Sequence, residues 1–212
     1  MPSFDHLIRQ NPLFFGLFAA YLILGAGLLL LFPKGDIELW INAHHTPAAD
    51  YFFKYWTELG SGTIFVLPFL FYLFQPQQRR LAILTAAIFV LQGASVQALK
   101  TTIFEGQMRP KVVLAPTHDL HFVEGVEVYS KHSFPSGHTA AAFALATMLS
   151  LQLPNIYWTL LFFTTAFLVG LSRIYLVQHF FVDTYFGALL GVVMALFGFM
   201  FFYGKIAGKH RP

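Results

Sequence analysis

The sequence predicts an all-α integral-membrane fold, a six-helix bundle, on three observations. Of 212 residues, 57% are hydrophobic and only 11% charged, with Phe alone supplying 26, a balance far from that of a soluble domain. Six apolar stretches of about the length needed to cross a bilayer recur along the chain. The polar and ionisable residues near those stretches gather at their edges, where their cost marks them as functional.

The first span is expected over residues 13–32, flanked by Asn11-Pro12 and Pro33-Lys34-Gly35-Asp36. Its apolar run is longer than a signal-peptide core and has no small-residue cleavage pattern, so it is expected to be retained. The second, 56–74, needs the aromatic segment from Tyr51 at the interface to reach full length. The third runs over 81–99. The fourth, 137–153, follows the turn at Pro135, and Pro154-Asn155 separate it from the fifth, 156–172. The sixth is 181–203, and residues 100–136 form an outer loop. One membrane domain, 1–212, is expected, without linker or repeat. Between spans one and two, Ile37 to Asn42 reads as amphipathic. It forms either an interfacial helix anchored by Trp40 or an ordinary loop helix packed on the bundle.

Short-loop cations set the orientation. Arg9, Arg79-Arg80, and Lys205, Lys209 and Arg211 fall on one side if there are six spans, and that side is read as cytoplasmic. Lys34, Lys54, Lys100, Arg109, Lys111, Lys131 and Arg173 fall on the other, mixed with Asp36, Glu38, Asp50, Glu58, Glu105, Asp119, Glu124 and Glu127. Both termini are then cytoplasmic, in a bacterial inner membrane, and the candidate site faces the periplasm or exterior. With no cysteine, disulfide and thiol chemistry are excluded.

Three groups of residues carry chemistry. Pro135-Ser136-Gly137-His138 opens an apolar run, and free N–H groups at a helix start favour an anion. Gly137 permits close backbone approach. Ser136 either caps the helix or donates to a phosphate oxygen. His179 and Asp183 are spaced i, i+4, as on one face of a helix. A carboxylate there can hold Nδ1–H and leave the Nε2 lone pair free for attack on phosphorus; the plainer reading is a buried polar pair pinning span six. Arg173, six residues earlier, fits two phosphate oxygens. Lys100 ends span three, where snorkelling alone explains it, and Arg109-Pro110 follow.

Together these residues resemble the type 2 phosphatidic acid phosphatase superfamily, which includes membrane lipid phosphatases and vanadium haloperoxidases. The family's second motif is complete at Pro135 to His138 and its third at Ser172, Arg173, His179 and Asp183. The first departs, with eight residues rather than six between Lys100 and Arg109; Gly106 suggests that a loop absorbs the excess. The resemblance implies a haloperoxidase-like helical core, a phosphohistidine intermediate on His179, orientation by Asp183, and acid–base work by His138. It assigns Lys100, Arg109, Ser136, Gly137 and Arg173 to phosphate binding. No metal or cofactor is implied, and no nucleic-acid or obligate protein partner. The implied substrates are lipid phosphates reached through membrane lipid: undecaprenyl diphosphate, phosphatidylglycerol phosphate, phosphatidic acid or the phosphate of lipid A.

Three alternatives remain: phosphate transfer to a lipid acceptor, vanadate-dependent peroxidation, and a transporter lined by intramembrane charges, for which no inverted repeat is visible. His44, His45, His118 and His121 could hold a metal, although loop histidines are usually just solvated. His132 lies close enough in sequence to the Pro-Ser-Gly-His turn to touch substrate.

Overall fold

A computed structural model describes residues 3–203. The cationic tail Lys205, Lys209 and Arg211 lies outside the described residues. Among the described residues ten α-helices follow one another: α1 (Phe4–Gln10), α2 (Pro12–Leu31), α3 (Asp36–Ala43), α4 (Pro47–Trp56), α5 (Val66–Leu73), α6 (Arg79–Ala98), α7 (Pro110–Leu114), α8 (Gly137–Gln152), α9 (Ile156–Tyr175) and α10 (Phe181–Gly198). The all-helical expectation holds among the described residues.

The helix starts follow from local chemistry. Asn11, Thr46 and Asn155 each accept a backbone N–H with their side chains at the starts of α2, α4 and α9, and Pro12 and Pro47 occupy first helical positions, where their missing N–H costs nothing. Asn11 also donates from Nδ2 to the Ser150 carbonyl at 2.9 Å and to Thr159 Oγ1 at 2.7 Å. One buried side chain thereby ties the start of α2 to α8 and α9.

Among the described residues, four helical segments are long and apolar enough to cross a membrane: Pro12–Leu31, Pro76–Ile103, Ile156–Tyr175 and Phe181–Phe202. A fifth is counted if the pair Pro47–Gly60 and Gly62–Leu73, bent by 54°, is one span. The expected second span is therefore broken. Short 3₁₀ turns at Thr57–Gly60 and Gly62–Phe65 flank an extended Ser61. The break lets the chain pass close to its neighbours: a Cβ on Gly60 would lie 2.4 Å from Val169 Cγ1 and 3.0 Å from the His138 carbonyl oxygen.

The expected fourth span, α8, is the structural centre. Its 16 residues rise only about 24 Å at 1.5 Å each, short of a bilayer core. Twelve of the 16 are buried, including Phe143 and Met148, with α9 and α10 packed along it. By contrast α2 buries only Phe14, Phe18 and Gly25 and exposes Ile23, Leu24, Leu30 and Leu31 as a lipid-facing surface would. Glycines set the closeness of α8 and α10: a Cβ on Gly187 would lie 2.6 Å from the Ser136 carbonyl oxygen, and one on Gly191 2.2 Å from that of Ala140. This is small-residue packing with two glycines four apart.

The segment expected to be amphipathic is helical, as α3. Its inward face is polar, with Glu38 and Asn42 buried while Trp40 is exposed, so α3 packs on the bundle through hydrogen-bonding groups.

Gly191→Ala is expected to force α8 and α10 apart and to destabilise the protein by about 1–3 kcal/mol. A lowered thermal midpoint in detergent, against an unchanged midpoint for Gly27→Ala, which meets open space, checks this.

Candidate active site

The end of α9 builds the first part of the site. Its last turn closes with Gln178 N–H donating to the Arg173 carbonyl at 2.9 Å and Val177 N–H to that of Ile174 at 3.0 Å. These are the paired bonds of a Schellman cap. The residue that must turn left-handed there is Val177, at φ 56°, a conformation a β-branched side chain adopts only under constraint. Buried packing of Val177 with Leu114, Leu120 and Phe180 supplies the constraint. The turn places His179 with its N–H also donating to the Arg173 carbonyl, at 3.1 Å.

His179 is thus in the junction between α9 and α10, while Asp183 is in the first turn of α10. The expected single helix face is corrected: the i, i+4 spacing works because the chain turns between the two residues. Asp183 Oδ2 accepts from the Phe180 N–H at 3.0 Å, capping α10, and from Ser133 Oγ at 2.5 Å. The same oxygen lies 3.4 Å from His179 Nδ1, and Nδ1 makes no hydrogen bond. The contact is therefore a close electrostatic one, longer than a hydrogen bond.

On the ring's other side, Arg109 Nη1 lies 3.3 Å from Nε2 of His179. A guanidinium can only donate, so Nε2 is the acceptor and the proton of the neutral ring resides on Nδ1, facing Asp183. Burial, reinforced by the Arg109 and Arg173 charges, holds this imidazole well below its ordinary pKa.

Arg109 is fixed in turn. Nη1 also donates to the carbonyl and Oε1 of Gln178 at 2.9 and 3.1 Å, and Nε to the Lys131 carbonyl at 2.9 Å. The guanidinium carbon lies 5.5 Å from the Tyr129 ring centroid, within cation–π range. Arg173, 6% exposed, donates from Nη1 to Thr57 Oγ1 at 2.7 Å, and its buried Nε has no partner. An unsatisfied guanidinium N–H in a buried site is a vacant place for an anion's oxygen.

Pro135 to His138 lead into α8, with Ser136 at the N-cap, the first of the two roles its sequence position allowed. The Ser136 hydroxyl is engaged in capping, accepting from the Thr139 N–H at 3.4 Å and pairing with Thr139 Oγ1 at 2.9 Å, and the Ser136 N–H donates to the Asp183 carbonyl at 2.9 Å. Gly137 is half-buried at the first helical position. His138 lines a polar cavity of about 340 Å³ together with Arg173, Thr57, Glu58, Tyr129 and Gln178.

Lys100 lies in a π-helical turn, Leu99–Ile103, that extends α6. This wider turn and the left-handed Gly106, at φ 82°, take up the excess spacing before Arg109. Lys100 Nζ donates to the His132 carbonyl at 2.9 Å, next to Ser133. His132 itself contributes this backbone oxygen, in a left-handed conformation at φ 56°. An apolar cavity of about 570 Å³ adjoins these residues, walled by Leu99, Phe104, Phe134, Pro135 and Phe186 among others.

The sequence assigns no site role to four buried residues: Ser133, Gln178, Thr57 and Glu38. Glu38 Oε1 accepts from the Phe181 N–H at 2.5 Å and so holds the start of α10, while burial raises its pKa. Ser133 and Gln178 lie within or beside the motifs and were readable as polar residues in apolar surroundings. Thr57 and Glu38 carry no sequence signal. The four loop histidines divide: His45 and His121 stack at 3.6 Å, whereas His44 pairs with the Trp40 carbonyl and His118 with Thr117.

The depressed pKa of His179 has a defined pH consequence. Between its folded pKa and the unfolded value near 6.5, the unfolded chain binds a proton that the folded protein refuses. Stability is then full above about pH 6.5 and falls below it by about 1.4 kcal/mol per pH unit. Thermal midpoints between pH 7.5 and 5 are expected to drop accordingly, and less steeply in His179→Gln.

Known proteins are similar to this chain in sequence and architecture. The PAP2 superfamily model matches residues 80–207, a stretch that holds every residue assigned above to phosphate chemistry. Undecaprenyl-diphosphatase BcrC of Bacillus subtilis is 29% identical over 160 residues, 76% of this chain and 77% of its own. Lipid A 4'-phosphatase of Porphyromonas gingivalis is 27% identical over 173 residues, 79% of this chain and 72% of its own. The crystal structure of Aquifex aeolicus LpxE superposes with a TM-score of 0.67 at 32% identity, covering 82% of this chain and 99% of that one. With its motif segments folded around one buried imidazole and a family match over more than half its length, the chain belongs to the PAP2 superfamily.

Proposed function

We infer that this protein dephosphorylates a lipid mono- or diphosphate through a phosphohistidine on His179. The observation that carries this reading is the buried, neutral His179, with Nδ1 towards Asp183 and Nε2 towards the Arg109 guanidinium. Nε2 attacks phosphorus and the bond to the leaving oxygen breaks. The imidazolium of His138 gives that oxygen its proton, and the arriving phosphate's negative charge favours this protonated form. The neutral His138 then takes a proton from water, whose oxygen attacks phosphorus and frees His179 and inorganic phosphate. Arg109, Arg173, Lys100 and the N–H groups of Gly137 and His138 at the start of α8 bear the equatorial charge, which is the main protein contribution in phosphoryl transfer. The chemistry needs no metal, because these fixed donors supply the stabilising charge.

The lipid tail lies in the apolar cavity at Phe134 and Phe186, directly beside the phosphate-binding residues. The names of the relatives support diphosphate or phosphomonoester lipids as substrates, with undecaprenyl diphosphate and a lipid A phosphate the first to assay. The chain forms one membrane domain in a bacterial inner membrane, with α8 as a buried fourth crossing, both termini cytoplasmic and the site at the outer leaflet.

Phosphate release from a panel of lipid phosphates by the purified protein tests the mechanism. His179→Ala is expected to remove turnover, and Asp183→Asn to lower it by roughly 10²- to 10⁴-fold with folding intact, while EDTA leaves wild-type turnover in place. Release at wild-type rate by His179→Ala would overturn the mechanism.

Orientation is tested separately in the naturally cysteine-free chain. In intact cells a membrane-impermeant thiol reagent is expected to label His118→Cys and to spare Gln77→Cys; the reverse pattern would move the site to the inner leaflet.

A further inference from the structure

A second cluster of ligating groups lies outside the phosphate site. One donor atom from each of His45, Asp50 and His121 falls within 4.8 Å of the others. His45 and Asp50 flank Thr46, the N-cap of α4, and His121 comes from the long outer loop, so the set joins two segments remote in sequence. His121 Nε2 lies 2.8 Å from Asp50 Oδ2.

Partners outside the cluster hold two of the three groups in place. Asn42 clamps the His121 backbone from both sides, donating to its carbonyl at 2.8 Å and accepting from its N–H at 2.9 Å. The Tyr175 hydroxyl donates to Asp50 Oδ1 at 2.5 Å and leaves Oδ2 facing the histidines. Outer partners of this kind orient metal ligands. His45 is exposed, and its ring is free to turn. A cavity of about 520 Å³ opens beside the pair, with Asp119 on its wall, leaving room for a fourth ligand.

We propose that His45, Asp50 and His121 bind a divalent metal ion of the zinc class. Two imidazoles and one carboxylate are borderline ligands, suited to zinc and its first-row neighbours and poorly suited to magnesium or calcium. Donors around a tetrahedral zinc lie about 3.4 Å apart, so closing the set takes movement of little more than about 1 Å. Rotation of the exposed His45 ring out of its stack supplies that movement. Coordination replaces the His121–Asp50 hydrogen bond with two bonds to the ion.

The ion staples the outer loop to the start of α4. Gly125, Val126, Glu127 and Tyr129 of that loop wall the polar cavity of the phosphate site. Asp50 also reaches Tyr175, two residues beyond Arg173 on α9. The site is therefore a structural one that steadies the cavity wall, and it is independent of the phosphatase reading.

Isothermal titration of untagged, chelator-stripped, full-length protein with Zn²⁺ in detergent tests the proposal without an activity assay. One ion per chain is expected, unaffected by a hundredfold excess of Mg²⁺, with a thermal midpoint raised by zinc. His45→Ala and His121→Ala are each expected to weaken binding at least tenfold and to remove the zinc-dependent rise, whereas His118→Ala behaves as wild type. His45 is exposed, so its variant gives an answer even if His121→Ala fails to fold. Substoichiometric binding, wild-type affinity in His45→Ala, or loss of binding in His118→Ala would overturn the proposal.

Discussion

The carboxylate of Asp183 is the point on which the site depends. One oxygen accepts from Ser133 and from the Phe180 N–H and faces His179, while the residue's carbonyl accepts from Ser136. Three chain segments, those of residues 133–138, of His179 and of α10, therefore meet at a single residue that is almost fully buried. A buried charge survives only with such a set of partners. The same need for partners draws the Ser133 segment to the start of α10: Ser133 Oγ and the Phe180 N–H are the donors that the carboxylate requires.

Around this centre the cations are held by backbone carbonyls and neutral side chains. Arg109 is fixed by Gln178 and Lys131 carbonyls, and Lys100 by that of His132. Carbonyl dipoles orient the cations without neutralising them, so the region keeps a net positive field. That arrangement favours an anion in a way that a network of ion pairs does not.

Much of this was legible in the residues themselves. Pro135 to His138 announced a helix start and became one. The spacing of Arg173, His179 and Asp183 brought the three together, although through a Schellman turn that left-handed Val177 gives no hint of, since glycine is the residue that normally marks it. The offset of Lys100 was visible as a count, but its resolution by a π-helical turn was not, because π-helices have no propensity signature. Span two was expected as a single crossing, 56–74, completed by the aromatic segment from Tyr51, yet close packing of Gly60 against Val169 and His138 breaks it. Glu38 and Thr57 were silent because an isolated polar residue looks the same whether it faces water or holds a buried N–H. The pairing of His45 with His121 depends on long-range packing that local pattern does not encode.

The burial of α8 bears on how the protein is made. A helix this short, rich in alanine and threonine, and sheathed by α9 and α10 gains little from lipid on its own. Its groove for close approach is supplied by Gly187 and Gly191, which the ribosome delivers some fifty residues later. Between those moments the Ser133 to His138 segment has no Asp183 to bond. Assembly of the candidate site therefore waits on α10, and a nascent chain interrupted before it carries both histidine-bearing segments without the carboxylate that joins them.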